Sequence, residues 1–189
     1  MKNERGQAMV EMAMLLPLII LLCLGVIEIS YGLLDQHVVT KITREGSNLI
    51  SRDATLQDAA TAMVQMGTRP IDFSKNSKVI FSVIKRVPTT GVANYNKDIL
   101  YQRYSYGALT ATSKLTTRGG GSFGAAPDYQ ANNSDTDTNL QITNLPSGLM
   151  TTPGTFLYVT EVFQKHPLIT PLDRFGVKVP TTLYSIAYF

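Results

Sequence analysis

The sequence predicts an α+β fold: a long N-terminal α-helix, one half membrane-spanning and one half amphipathic, packed on an antiparallel sheet of about four strands. Three observations predict it. A nearly uncharged apolar run opens the chain. An apolar pattern in steps of three and four follows it. Four segments rich in β-branched and aromatic residues then occur with no helical pattern between them.

The apolar run extends from Met12 to Leu34 and carries one charge, Glu28. Its 23 residues rise about 34 Å as a helix, enough to cross a hydrocarbon core of ~30 Å. Lys2 and Arg5 precede it against one nearby acid, Glu4. The positive-inside rule puts this short N-terminus in the cytoplasm and the remainder outside. Pro17 removes the hydrogen bond to Ala13 and is expected to bend or loosen the helix, with Gly25 as a second soft point.

Beyond the run, Val38, Val39, Ile42, Gly46, Leu49, Ile50, Leu56, Ala60, Met63 and Val64 keep to helical spacing. Met66-Gly67 with Pro70 reads as a stop. One continuous helix is expected through residues 35–67, with a break near Gly46 or Asp53 as the alternative. Its apolar stripe needs a partner layer, most simply a sheet. The expected strands are Lys78–Val87, Ile99–Tyr106, Phe156–Gln164 and Leu183–Phe189. In the second, Leu100, Gln102, Tyr104 and Tyr106 alternate onto one face. Residues 110–155 are rich in Gly, Ser, Thr, Asn and Asp and read as a long flexible surface loop within an extracytoplasmic β-rich domain, 68–189.

The composition excludes several roles. Net charge is only +3, with no run of Lys or Arg, so there is no basic stripe for nucleic acid. Cys23 is the single cysteine; it has no partner for a disulfide or a thiolate metal site. Asp135-x-Asp137-x-Asn139 resembles the opening of a calcium loop, but Leu140 replaces the turn glycine and Pro146 the closing glutamate, which rules out the EF-hand form. An irregular calcium site through Asp135, Asp137 and Asn139 stands beside the plain reading, a solvated acidic loop. Arg118-Gly119-Gly120-Gly121-Ser122 lacks the ending and the strand-to-helix setting of a phosphate cradle and reads as flexible linker. His37 and His166 join no recognisable Ser, Cys or carboxylate constellation. No enzymatic role and no cofactor are expected.

The order Arg5-Gly6-Gln7-Ala8-Met9-Val10-Glu11 fits neither a secretory signal nor a lipoprotein signal. Glu4 and Glu11 interrupt the basic region, and Leu22 precedes Cys23 where a small residue is needed. RGQAMVEMAMLLPLIILLCLGVIEISYGLL instead resembles the N-terminus of TadE-like proteins of the tight-adherence (Flp) pilus system, a subtype of type IV prepilins. Lys41-Ile42-Thr43-Arg44-Glu45-Gly46-Ser47 is similar to that family's Ala-Arg-Glu-Gly-Ala stretch, and Val159–Phe189 is similar more loosely.

The resemblance implies a pilin-like layout, a leader of residues 1–6 and cleavage by a prepilin peptidase between Gly6 and Gln7. Residues 7–34 then form the transmembrane assembly helix, with Glu11, Pro17 and Glu28 at family positions. It implies partnership with other pilin-like subunits, with an inner-membrane assembly platform and with the lipid bilayer. The protein would be a minor pilin or pseudopilin, acting in initiation or at the tip of a pilus for surface attachment. A lone carboxylate in an apolar zone costs roughly 2.5–3.5 kcal/mol, which Glu11 can recover by meeting the new Gln7 amine of a neighbouring subunit; the alternative is that Glu11 sits at the headgroup level. Glu28 reads equally as an interfacial residue or a subunit contact. The alternative function is a membrane-anchored binding module holding a ligand or calcium in the 110–155 loop.

Overall fold

The computed structural model describes residues 4–52, 54–67, 69–150, 152–178 and 180–189. Helix α1 is Glu4–Ile50 and helix α2 is Leu56–Met66. The strands are β1, Ser77–Arg86; β2, Asp98–Tyr106; β3, Phe156–Lys165; and β4, Thr182–Tyr188. They form one antiparallel sheet in the order β2-β1-β3-β4. The fold is α+β, and each expected strand is present with bounds moved by a residue or so.

The long helix runs without interruption through Pro17. It does not continue to residue 67, as a single helix would. α1 ends at Ile50, α2 starts at Leu56, and Asp53 between them lies outside the described residues. The restart is local chemistry. Thr55 is extended, and its Oγ1 accepts from the Asp58 N–H at 3.1 Å, an N-cap on the new helix. The turn lets α2 pack beside α1 on the same side of the sheet.

That side carries the main core. Val39, Ile42 and Ile50 of α1 and Leu56, Ala59, Ala60 and Met63 of α2 pack on Val79, Phe81, Val83 and Val162. Gly46 permits the close approach. A Cβ there would lie 2.7 Å from Met63 Sδ and 2.8 Å from Thr160 Cγ2, well inside van der Waals contact. Ser47 beside it donates from Oγ to the Ala187 carbonyl at 3.1 Å.

The opposite face of the sheet is also covered, by the segment expected to be a free loop. Leu115 and Met150 pack on Ile84, Leu157 and Val159. Leu140 and Ala131 instead pack with Val87 and Ile99 on the helix side of the sheet, since Ile99 opposes Lys85, in step with Val83 and Phe81. The loop also pairs with the outer edge of β2: Ile142 N–H donates to Asp98 O at 2.9 Å and Ala131 N–H to Tyr101 O at 2.7 Å. The 110–155 stretch is therefore anchored to the sheet at Leu115, Ala131, Leu140 and Met150 and along the β2 edge, with exposed segments between these points. The glycine run is part of it. Gly121 adopts φ +75°, and a Cβ there would lie 2.1 Å from Leu140 Cδ2, so glycine brings backbone onto the buried leucine.

The alternation expected for β2 holds for only part of its length. Gln102, Tyr104 and Tyr106 oppose Val83, Phe81 and Val79 on the helix side. Leu100 opposes Ile84, on the loop side. A bulge between Val83 and Ile84 shifts the register and flips it.

Candidate functional site: the exposed helix and its junction with the domain

Two regions of α1 carry the residues singled out in the sequence. From Gly6 to Ile20 every side of the helix is exposed. Met9, Val10, Met12, Met14, Leu15, Leu16, Leu18, Ile19 and Ile20 are exposed. Gly6 has open space around it. The Gln7 side-chain amide donates to Glu11 Oε1 at 3.1 Å, one turn along. Cys23 and His37 are exposed.

Glu28 belongs to the second region. It is 1% exposed, the first buried residue on α1. The residue lies on the helix stripe that continues through Asp35, Val39, Ile42 and Gly46, so it faces the domain. Its Oε2 accepts from the Thr170 N–H at 2.9 Å, from Thr170 Oγ1 at 2.6 Å and from the Ile169 N–H at 3.2 Å. His166 lies alongside. Its Nε2 is 3.5 Å from Glu28 Oε1, and its Nδ1 is 2.6 Å from Asp35 Oδ2. One imidazole thus faces two carboxylates spaced two turns apart on α1. A buried carboxylate is tolerated where donors surround it, and residues 166–170 supply them. Glu28 is neither an idle interfacial residue nor, in this chain, exposed for contact with another subunit: it clasps the helix to the β3–β4 connection. His166, which the sequence left in a turn without a role, is its neighbour. No local pattern links positions 28 and 166; Pro167 and Thr170 flanking an isolated His were the nearest signal.

A third polar cluster lies under the loop layer. Glu161, fully buried, accepts from the Lys114 N–H at 2.7 Å, from Tyr184 Oη at 3.0 Å and from Ser113 Oγ. Arg103 donates to Ser113 Oγ and the Leu115 carbonyl, both at 3.2 Å. Burial pulls the Arg103 guanidinium below its ordinary pKa, with Glu161 opposing that. Burial also pushes the Tyr184 phenol well above its ordinary value, reinforced by the Glu161 charge. The cluster ties loop to sheet.

The acidic loop residues serve their own turns. Asp137 Oδ1 accepts from the Asn139 N–H at 3.0 Å, capping the short 3-10 turn Thr138–Leu140. Asp135 Oδ2 accepts from Thr89 Oγ1 at 3.1 Å. Among the described residues no group of three or more His, Cys, Asp or Glu gathers for a metal.

Among the described residues one helix, near the N-terminus, is long and apolar enough to cross a membrane, and it runs on into a helix-on-sheet domain, an α+β layout. The family model described as TadE-like protein matches residues 6–48, so the N-terminal segment is TadE-like. The match takes in the exposed apolar stretch, Glu28 and Gly46, and ends within α1. Searches of curated proteins and of solved structures give no match.

Proposed function

We propose that the chain is a minor pilin or pseudopilin, a structural rather than catalytic subunit taking part in initiation or at the tip of a tight-adherence type pilus. A TadE-like match laid on a helix whose first part is bare and apolar carries the reading. Such a surface suits lipid before assembly and neighbouring helices after it. Gly6, with open space around it, suits entry into a protease cleft. Cutting there by a prepilin peptidase frees the Gln7 amine one turn from Glu11. The Glu11 carboxylate is exposed and accepts from the Gln7 side chain of its own chain. It is therefore available to pair with the new amine of an adjacent subunit and to set axial register, as a buried polar residue sets register in a coiled coil. The bulk of the outer domain favours a low-copy position over the repeating shaft. In this reading the N-terminus is cytoplasmic, the domain extracytoplasmic, and the membrane the bacterial inner membrane. The partners are the peptidase, other pilin-like subunits and the assembly platform.

The test is the intact mass of the protein from its host's membranes, with and without the prepilin peptidase. Peptidase-dependent loss of residues 1–6, leaving Gln7 first, is expected. A chain of unchanged mass in both strains rejects the processed-pilin reading. Immunogold labelling confined to the tips of sheared pili supports the low-copy position, and uniform labelling along the shaft rejects it.

A further inference from the structure

The β3–β4 connection sits where the helix leaves the domain, and it exposes large apolar side chains beside the charged Asp173, Arg174 and Lys178. Ile169 is 53% exposed, Phe175 63% and Val177 40%. The backbone that presents them is fixed. Ile169 and Thr170 are bonded to Glu28. Leu172 is buried, and the 3-10 turn Pro171–Phe175 closes through Gly176 and Val177 N–H groups onto the Asp173 and Leu172 carbonyls.

From Glu28 the connection turns back along α1 towards its N-terminus. Phe175 there shares an apolar hollow with Pro17, Leu18, Leu21 and Leu24. Leu24 and Leu21 lie four and seven residues before Glu28, about 6–10 Å down the helix axis. The exposed stretch from Met9 to Ile27, apolar but for Glu11 and ending one residue before the buried Glu28, is about 28 Å long as a helix, close to one hydrocarbon thickness. With that stretch across a bilayer, the level of Leu21–Leu24 falls inside the apolar zone near its outer face. Phe175 is carried to the same depth. At the level just above, the helix side turned away from the domain is also apolar and exposed, at Ile29 and Leu33. Arg174 and Lys178, both exposed, flank Phe175. Long basic side chains beside an inserted aromatic reach back to the headgroup level.

We propose that the turn 171–177 forms a second membrane contact, with Phe175 inserted in the outer leaflet next to the spanning helix, Val177 beside it, and Ile169 above them at the level of Glu28. The domain is then seated on the bilayer at two points and held at a fixed tilt. Continuity with the spanning surface selects lipid as the occupant. A second copy of the chain on the same patch is the competing outcome.

The chain has no tryptophan, so single indoles report depth. The full-length protein is reconstituted in vesicles containing lipids brominated near the carbonyl end of the acyl chain. Leu16→Trp, within the spanning stretch, marks insertion by its quenching. Phe175→Trp, at an exposed site that accepts the larger ring, is expected to emit to the blue and to lose most of its intensity. Val177→Trp is expected to behave alike. Tyr95→Trp, in the β1–β2 connection at the opposite end of the sheet, is expected to keep its intensity. Unquenched emission from both Phe175→Trp and Val177→Trp, in vesicles that quench Leu16→Trp, overturns the proposal. A blue shift without quenching that grows with the protein-to-lipid ratio also overturns it and assigns the patch to a second copy.

Discussion

The Glu28 carboxylate accepts a hydrogen bond from the Thr170 backbone N–H at 2.9 Å, across 142 positions of sequence. It joins the last part of the spanning run to the connection before the final strand, and it makes that connection part of the helix's own surroundings. Glu28→Ala leaves the Thr170 N–H and hydroxyl and the Ile169 N–H without their acceptor. The expected cost is about 2–5 kcal/mol. The expected signature is faster proteolysis within 167–178 and a lower unfolding midpoint of the reconstituted protein. Unchanged proteolysis would show that the clasp contributes nothing.

Glu11 should behave in the opposite way. Its carboxylate is exposed and bonds the exposed Gln7 side chain one turn away, so Glu11→Ala is expected to leave the folded domain's stability within about 0.5 kcal/mol of wild type. Pilus number per cell, counted by electron microscopy, is expected to fall several-fold. Wild-type piliation in that variant would remove Glu11 from assembly.

Gly46→Ala places a methyl group 2.7 Å from Met63 Sδ and 2.8 Å from Thr160 Cγ2. The thioether can swing aside; the Thr160 methyl, branched at Cβ on a central strand, yields less. A destabilisation of about 1–3 kcal/mol is expected, partly relieved by Thr160→Ser. Equal stability of Gly46→Ala and wild type would show that the layers part without cost.

The Tyr184 phenol offers a pH test. Its folded pKa is raised above the ordinary 10.0 by burial and by Glu161. A raised pKa in the folded state gives stability that is complete below the unfolded pKa and is lost as pH climbs through it towards the folded value. Unfolding midpoints are therefore expected to fall above pH ~10. In an ultraviolet titration, one late-ionising tyrosine of the wild type is expected to be missing from Tyr184→Phe. An identical late step in both proteins rejects this assignment.

Leu140 and Leu115 test the loop layer. Both are buried under a stretch that reads as polar linker, and Leu140→Ala is expected to cost about 2–5 kcal/mol. Slow hydrogen exchange at the Ile142 amide, bonded to Asp98 O, is the matching observation. Exchange as fast as in an unfolded peptide would return the segment to a free loop.

The strands were legible because β-branched and aromatic residues cluster within each, as in Lys78-Val79-Ile80-Phe81. The spanning helix was legible because one charge in twenty-three residues leaves few alternatives. The loop layer was hidden because Leu115, Ala131, Leu140 and the pair Leu149-Met150 fall at no fixed period within a stretch rich in Gly, Ser, Thr and Asn. Composition reports the average of such a stretch, while packing depends on those few. The helix break was present in Thr55-x-x-Asp58, a capping pattern overridden by the apolar period running through it. The bulge that turns Leu100 over leaves the alternating pattern of its own strand intact, so only the partner strand reveals it. The Glu28 clasp pairs residues more than a hundred positions apart, beyond what spacing within one element can show.

The uninterrupted course of α1 from Glu4 to Ile50 has a mechanical consequence. No slack segment separates the part suited to a bilayer or a bundle from the part bolted to the sheet. Tension on the outer domain reaches the helix through Glu28 and the Gly46 contact without first stretching a linker. Rotation of the helix about its axis likewise turns the whole domain with it. A subunit built in this way works as a rigid lever, and each angstrom by which its helix is extracted lifts the domain by the same amount.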